Sequence, residues 1–336
     1  AINTNDYYRL LDHGIEPTRV WYVPNSIDTA LVKCVEPCQD LRRILEATKG
    51  IDPDSAILFY PVRAIPRKNI EEGIYLTKML NNLASDAEFR EKYQLDTKLH
   101  LVVSLSGSSV EEKQYTKRLQ DFARENDLPV TIDVSDIVGL HREYDPADPG
   151  RILKYGVADM YSIARMVVTT SVLEGFGFVF IEPWVMDKCV IGRNIPSVTM
   201  DFTKAGLSLN HLYTVLLVNG SDYADLGTDE PDGGLNRRLV EIKKLDDPEY
   251  LRMVLQKNSA PLRATLRMFR PERRRSIARS VIRSNCKKVL EHYSSPTVVG
   301  TLYRIMRKEE PTYLIPRHGI PTSQEVNVPN NIRVTA

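Results

Sequence analysis

The chain has 336 residues, of which 42% are hydrophobic and 26% are charged, and its formal net charge is +1. This composition is typical of an ordered globular protein and excludes a largely disordered chain. A net charge so close to zero creates no global field that would attract nucleic acid, so an anionic partner would need a local basic patch.

The four cysteines are scattered, and their spacing predicts neither a zinc site nor a disulfide framework. Free thiols suit a reducing compartment. No apolar run approaches the ~18 residues that a membrane span needs. We therefore predict a cytoplasmic protein without a nucleic-acid partner, and leave open a peripheral contact with the inner membrane.

The chain begins AINTNDYYRLLDHGIEPTRVWYVPN. Thr4 or Asn5 is expected to cap a short helix that Gly14 ends, and RVWYV is expected to form a strand. Such a start is typical of the middle of a domain. We therefore expect residues 1–28 to be the remnant of an amino-terminal domain, with the rest of that domain missing.

Strands and helices alternate from residue 56 onward. Apolar segments predict strands at 56–62, 99–105, 130–135, 166–170, 188–193 and 214–218. A turn-rich loop is expected at 141–150, followed by a helix over 151–165. This alternation with short connections predicts parallel strands and crossover helices in a doubly wound α/β sheet. Such sheets bind ligands beyond the carboxyl ends of their strands, near the switch in strand order.

The carboxyl-terminal part changes character after a polar loop rich in Gly and Asp. Helical segments are predicted at about 234–245, 248–258 and 272–292. The final residues contain several prolines and no clear period, so we predict an extended tail over 293–336.

Two loops that follow predicted strands contain groups suited to a phosphorylated ligand. Arg63 and Lys68 follow the first strand, where fixed cations would neutralise a diphosphate. The stretch LEGFGFVFIEP follows the fourth strand and places Glu174 and Glu182 around two glycines. The segment from Phe178 is expected to begin a helix with free N–H groups, which is an anion site. The usual dinucleotide and P-loop fingerprints are absent from these turns, which argues against NAD and P-loop nucleotides.

The motifs VRAIPRKN, EGFGFVFIEP and KCVIGRNIP, with VWYVPNSID before them, resemble retaining GT-B glycosyltransferases of glycosyltransferase family four. The resemblance spans about residues 20–292. It implies a Rossmann-like nucleotide-sugar-binding domain at 29–292 and transfer of a sugar from a nucleotide diphosphate sugar to an unknown acceptor. Retention of configuration, without a metal or cofactor, is also implied. The alternatives are a binding module without turnover, or an epimerase or phosphorylase on the same scaffold.

The resemblance also implies a role for each motif residue. Glu174 would contact the transferred sugar as the catalytic residue, and Glu182 would hold the ribose hydroxyls. Arg63 and Lys68 would bind the diphosphate. The remaining donor-binding positions would be Gly139 and Leu140 near the base, and the backbone N–H groups of Gly175, Phe176, Gly177, Phe178 and Val179 along the phosphates and sugar.

The sequence departs from the family pattern at the second carboxylate. Pro183 follows Glu182 where alanine is usual, and a proline inside a helix costs about 3 kcal/mol. We therefore expect a kink near the ribose site.

A strongly basic stretch runs from Arg263 to Arg283 and contains eight arginines. A solvated helix face is the simplest interpretation. The alternative is a surface for anionic lipid head groups or for an anionic acceptor, since each cation contributes about 1 kcal/mol near an anionic membrane.

Overall fold

A computed structural model describes residues 1–28, 36–85, 87, 91, 97–217, 234–268 and 276–306. The strands, in chain order, are β1 Ala56–Arg63, β2 Leu99–Leu105, β3 Val130–Ile132, β4 Val138–Gly139, β5 Glu143–Asp145, β6 Asp148–Gly156, β7 Ala164–Thr169 and β8 Val190–Gly192. The helices are α1 Thr4–Asp12, α2 Gln39–Lys49, α3 Ile70–Ser85, α4 Val110–Glu125, α5 Val157–Ile163, α6 Glu182–Val185, α7 Pro196–Lys204, α8 Leu235–Lys244, α9 Pro248–Lys257, α10 Ser259–Met268, α11 Ser276–Tyr293 and α12 Ser295–Met306.

The main sheet has the order β3-β2-β1-β7-β8, and every neighbouring pair is parallel. The central strand β1 is apolar and buried at most of its positions, as expected of a strand covered by helices on both faces. The chain moves outward from β1 through β2 and β3, then continues on the other side through β7 and β8. The strand order therefore reverses between β1 and β7. The predicted doubly wound α/β fold is confirmed.

The N-terminus of α4 lies beside the end of β1, since Arg63 contacts Ser108 just before the helix cap. The Ser109 hydroxyl accepts the Glu112 N–H, and the Glu112 carboxylate accepts the Ser109 N–H, both at 3.2 Å. This reciprocal capping box starts the helix at Val110. The same Glu112 carboxylate accepts the N–H of Ser108 at 2.8 Å, which orders the loop that faces Arg63.

The region between β4 and α5 differs from the prediction. The expected loop at 141–150 and helix at 151–165 are wrong, because β5 and β6 form an antiparallel hairpin and the helix covers only Val157–Ile163. The Asp145 carboxylate accepts the Ala147 N–H at 2.9 Å and makes the tight turn. The buried Asp159 carboxylate accepts the Gly156 N–H at 2.9 Å, so the helix begins there.

The predicted sixth strand at 214–218 is also wrong for its described residues. A single parallel bridge joins Tyr213 to Arg193, and no ladder follows it through residue 217. The Leu217 N–H instead donates to the Asn258 side chain at 2.7 Å. Side-chain hydrogen bonding thus replaces strand pairing at this edge. Residue 218 lies outside the described residues.

The two ends of the described chain meet each other. The predicted strand RVWYV is wrong, since Val20 to Val23 form no ladder and Ile27 makes one isolated parallel bridge with Ser294. At the other end, α12 occupies Ser295–Met306, where an extended tail was expected. The remainder of that predicted tail, residues 307–336, lies outside the described residues. No described helix is long and apolar enough to cross a membrane.

Candidate functional site

The two cations predicted to bind the diphosphate lie at the end of β1 and in the loop after it, and they differ in exposure. Arg63 ends the strand and is exposed, and its guanidinium donates to the Ser108 hydroxyl at 3.4 Å. A 3-10 turn follows over Pro66–Lys68, and Asn69 then adopts a left-handed conformation with φ 51°. The side chain of Lys68 is only 11% exposed. The two predicted cations thus lie at one strand end but in different environments.

The loop after β7 does not continue directly into a long helix. Gly177 has φ +90°, a 3-10 turn covers Phe178–Phe180, and α6 is four residues long. The predicted continuous helix from Phe178 is therefore wrong. Pro183 lies in the first turn of α6, where a missing N–H removes no helical hydrogen bond. The helical structure is interrupted before the proline, at Ile181, whose φ is −125°.

These two loops are joined beneath the surface by the hydroxyl of Tyr60 on β1. This hydroxyl lies 2.8 Å from the Lys68 carbonyl and 2.9 Å from the Ser171 hydroxyl, and it accepts the Thr170 N–H at 3.0 Å. Tyr60 is fully buried. Its position on the central strand fixes the starting point of both loops.

An ion pair that is largely shielded from water also joins the two loops. The Lys68 ammonium donates to the Glu174 carboxylate, and the exposed fractions of the two side chains are 11% and 9%. Burial lowers the pKa of Lys68, while Glu174 opposes this shift and Arg67 adds to it. Lys68, predicted to bind the diphosphate, and Glu174, the predicted catalytic carboxylate, therefore contact each other directly.

A cavity of about 330 Å³ lies at the carboxyl ends of the central strands. Four of the predicted site residues line it: Arg63, Gly139, Leu140 and Glu182. Much of the remaining wall is apolar and includes Val134, Val138, Val157 and Met186. Of the predicted residues, Lys68, Glu174 and Gly175 to Val179 are not part of this lining. The structure thus brings four of the eleven predicted residues together around a cavity and places the other seven in the loops after β1 and β7.

Glu182 is the carboxylate in this largely apolar wall. Burial raises its pKa, and a hydrogen bond from the Tyr161 hydroxyl at 3.3 Å partly offsets the shift. Among the described residues this is the one hydrogen bond to the carboxylate, so most of its acceptor capacity is available to a ligand. Hydroxyl groups of a ligand in the cavity would find acceptors there.

The aromatic residues of the glycine loop have different surroundings. Phe176 is buried and makes edge-to-face contacts with Phe202, Tyr293 and Phe178. Phe178 is exposed at 37%. Phe176 therefore anchors the loop through its ring.

Sequence reasoning missed the pair that supports the Gly139–Leu140 wall. The Arg142 guanidinium donates to both oxygens of Asp159, at 2.8 Å and 2.5 Å. Asp159 is buried and belongs to α5, whereas Arg142 follows the exposed Leu140. The pair fixes the wall to the helix that begins below it. An Arg after a Gly-Leu pair is a weak signal, because its partner lies 17 positions away.

A second cavity, of about 380 Å³, lies behind the Lys68 turn. Its charged groups are already paired: Glu72 with Arg193 and Glu71 with Arg238, each at 2.5 Å, and Glu241 with Lys244 at 3.2 Å. It contains none of the residues predicted for the ligand. We therefore take the 330 Å³ cavity as the candidate site.

The predicted basic surface is described only in part. Arg263, Arg267, Arg279 and Arg283 are exposed, and the other four arginines of the stretch lie outside the described residues. Contact with an anionic membrane or acceptor stays a prediction. Among the described residues, no cluster of three or more His, Cys, Asp or Glu side chains is arranged to hold a metal ion.

Comparison with known proteins gives two kinds of likeness. No family model matches the chain. It is 25% identical over 199 residues to the mannosylglucosyl-3-phosphoglycerate synthase of Petrotoga mobilis. The aligned region covers 58% of this chain and 33% of that protein. The chain resembles the crystal structure of a glycosyltransferase from Rickettsia africae with a TM-score of 0.52 and 14% identity, over 92% of this chain and 62% of that one. A structure of Anabaena HepE with UDP and glucose gives a TM-score of 0.49 and 12% identity, over 91% of this chain and 62% of that one.

The chain therefore spans about a third of the length of the curated relative and about three fifths of the Rickettsia structure. The latter likeness concerns the fold. The five-stranded parallel sheet with its flanking helices is glycosyltransferase GT-B-like. Membership of family four and retention of configuration stay predictions.

Proposed function

We propose that this chain is the donor-binding part of a glycosyltransferase, which binds a nucleotide diphosphate sugar for transfer to an acceptor with retained configuration. The observation that carries the proposal is the shared cavity. Arg63 and Glu182 come from loops more than a hundred residues apart, yet both line it, together with Gly139 and Leu140. Its volume, about 330 Å³, lies in the ~300–1,000 Å³ range of small-molecule sites.

The chemistry of the lining matches the parts of a nucleotide. The apolar wall of Val134, Val138 and Leu140 suits the faces of a base. The carboxylate of Glu182 suits a ribose, because vicinal hydroxyls donate to both of its oxygens. Arg63 stands at the cavity edge as an exposed cation and suits the negative charge of a diphosphate.

The sugar is assigned to the neighbouring loop. Glu174 and the backbone of Gly175 to Val179 lie in the loop after β7, where Glu174 contacts Lys68. In this assignment Lys68 exchanges part of its contact with Glu174 for the diphosphate when the donor binds. Glu174 is then released toward the sugar. The likeness to a mannosylglucosyl-3-phosphoglycerate synthase supports a sugar-transfer role for the whole protein.

Calorimetry of this chain with UDP, GDP and ADP, and then with their sugars, tests the proposal. One nucleotide should bind with measurable affinity. Arg63→Ala should weaken it about tenfold or more, since a hydrogen bond to a charged group contributes about 1.5–3 kcal/mol. The matched control is Arg124→Ala, an exposed arginine that pairs with Asp121 on α4. Absence of binding by all three nucleotides, or equal loss in both variants, would refute the proposal.

Transfer and retention need a separate measurement. Release of sugar to water or to an added acceptor, followed by NMR of the anomeric proton, distinguishes retention from inversion. Tight donor binding with no release under any condition would favour the alternative of a binding module. An inverted product would overturn the retaining assignment while leaving donor binding intact.

A further inference from the structure

The side chain of Asn3 connects the beginning of the chain to the glycine loop. It is 5% exposed, and its amide Nδ2 donates to the Gly175 carbonyl at 2.9 Å. The same amide donates to Asp6 Oδ2 at 2.8 Å, and Oδ1 accepts the Asp6 N–H at 2.7 Å. Asn3 is thus both the cap of α1 and a partner of a loop that lies 172 positions away.

The hydrogen bond from Asn3 fixes the orientation of the peptide group between Gly175 and Phe176. In a trans peptide the C=O and the following N–H point in opposite directions, and the described residues contain no cis bond. Because the Gly175 carbonyl points toward Asn3, the Phe176 N–H points away from α1. In the described part of the chain this N–H has no hydrogen-bond acceptor. It is a free donor in the loop that follows β7.

The side chain of Phe176 is held in place as well. The Phe176 ring packs against Phe202 of α7 and Tyr293 of α11. Its side chain is therefore fixed by the core, and the preceding carbonyl is fixed by Asn3. A donor that is held on both sides before a ligand arrives needs little reorganisation on binding.

The helix that carries Asn3 has a second attachment. The Thr4 N–H donates to Asp201 Oδ2 at 2.7 Å, and Asp201 lies on α7 with 8% exposure. Removal of the Asn3 amide therefore leaves α1 attached to the body of the protein. The consequence should be confined to the glycine loop.

We propose that Asn3 is a positioning residue of the donor site: by holding the Gly175 carbonyl it presents the Phe176 N–H to the anionic part of the ligand. This inference rests on the proposed function, because it needs a phosphorylated ligand at the glycine loop. It extends the site to a segment before residue 28, which the sequence alone placed outside the nucleotide-binding domain.

The test is the variant Asn3→Ser, whose hydroxyl still caps α1 but does not replace the amide donor. Affinity for whichever of UDP, GDP or ADP binds the parent should fall about three- to tenfold, as expected for one neutral hydrogen bond. Asn126→Ser is the matched control. It also removes an amide bond to a backbone carbonyl, that of Phe122, but at the C-terminal end of α4, at the opposite edge of the sheet.

Hydrogen exchange of residues 173–179 provides a measurement that does not need a nucleotide. Exchange there should become faster in Asn3→Ser and remain unchanged in Asn126→Ser. Unchanged exchange, or an affinity equal to that of the parent, would overturn the inference. If the parent binds none of the nucleotides the proposed function fails, and with it the ligand-presenting role, while faster exchange would still establish that Asn3 orders the loop.

Discussion

Lys68 and Glu174 are 106 positions apart in the chain and form an ion pair that joins the loop after β1 to the loop after β7. Both side chains are largely shielded from water. The pair therefore locks the two loops in the absence of ligand, across the point where the strand order reverses. A ligand that competes for Lys68 would loosen this lock.

The ion pair predicts a strong coupling between the two side chains. Lys68→Met and Glu174→Gln should each lower the free energy of unfolding by about 3 kcal/mol, because each leaves the other partner shielded and unpaired. The double variant should cost clearly less than the sum of the two. Denaturant unfolding at neutral pH of all four proteins measures this coupling. Additive costs would mean that the contact contributes nothing to stability.

The raised pKa of Glu182 predicts a pH dependence of stability. A carboxyl group that holds its proton more tightly in the folded state contributes stability below the unfolded pKa, and loses it as pH rises through the folded pKa. Relative to Glu182→Gln, the parent should therefore become less stable as pH rises above about 4.5. Thermal unfolding of both proteins between pH 4 and 7, at constant ionic strength, gives the difference. A difference that does not change with pH would contradict the burial of this carboxylate.

Two buried histidines predict sensitivity to acid. Burial lowers the pKa of His211 to about 4 and that of His100 to about 4, so both are neutral at pH 7. Each neutral ring contributes about 3 kcal/mol to the free energy of unfolding. This contribution is fully present above the unfolded pKa of about 6.5 and is lost as pH falls toward 4. NMR titration should find that neither ring gains a proton above about pH 5. A transition near 6.5 for either ring would show that it is accessible to water.

The two glycines of the EGFG turn should respond differently to alanine. A Cβ on Gly177 would lie 2.7 Å from Val198 Cγ1 and 2.9 Å from the Phe180 ring, at φ +90°. A Cβ on Gly175 would meet only Ile2, at 4.0 Å. Gly177→Ala should therefore destabilise the fold by about 2 kcal/mol or more.

Gly175→Ala should leave stability nearly unchanged, and it is the matched control for the clash at Gly177. Thermal unfolding of the two variants and the parent compares them directly. Equal melting temperatures for the two variants would mean that the turn adopts another conformation in solution.

Much of the fold could be predicted from local patterns. The apolar runs of β1 and β2 and the helix between them indicated parallel strands. The general rule for such sheets pointed to four loops, those after Val62, Leu105, Ser135 and Thr170. The hairpin of β5 and β6 could not be predicted in this way. Its residues are mostly exposed, so no apolar period distinguishes a strand from a helix there.

The sequence by itself determined which residue types stand after which strands: the cations after β1, and the two carboxylates and glycines after β7. Only the tertiary structure decided which of these residues contact each other. It places Arg63 and Glu182 on one cavity and pairs Lys68 with Glu174. It also places the Asn3 amide against the Gly175 carbonyl. The physical reason is that local periodicity specifies where strands end. The Lys68–Glu174 ion pair, the Asn3–Gly175 hydrogen bond and the shared lining by Arg63 and Glu182 instead join groups more than a hundred positions apart, so they depend on how those strand ends pack.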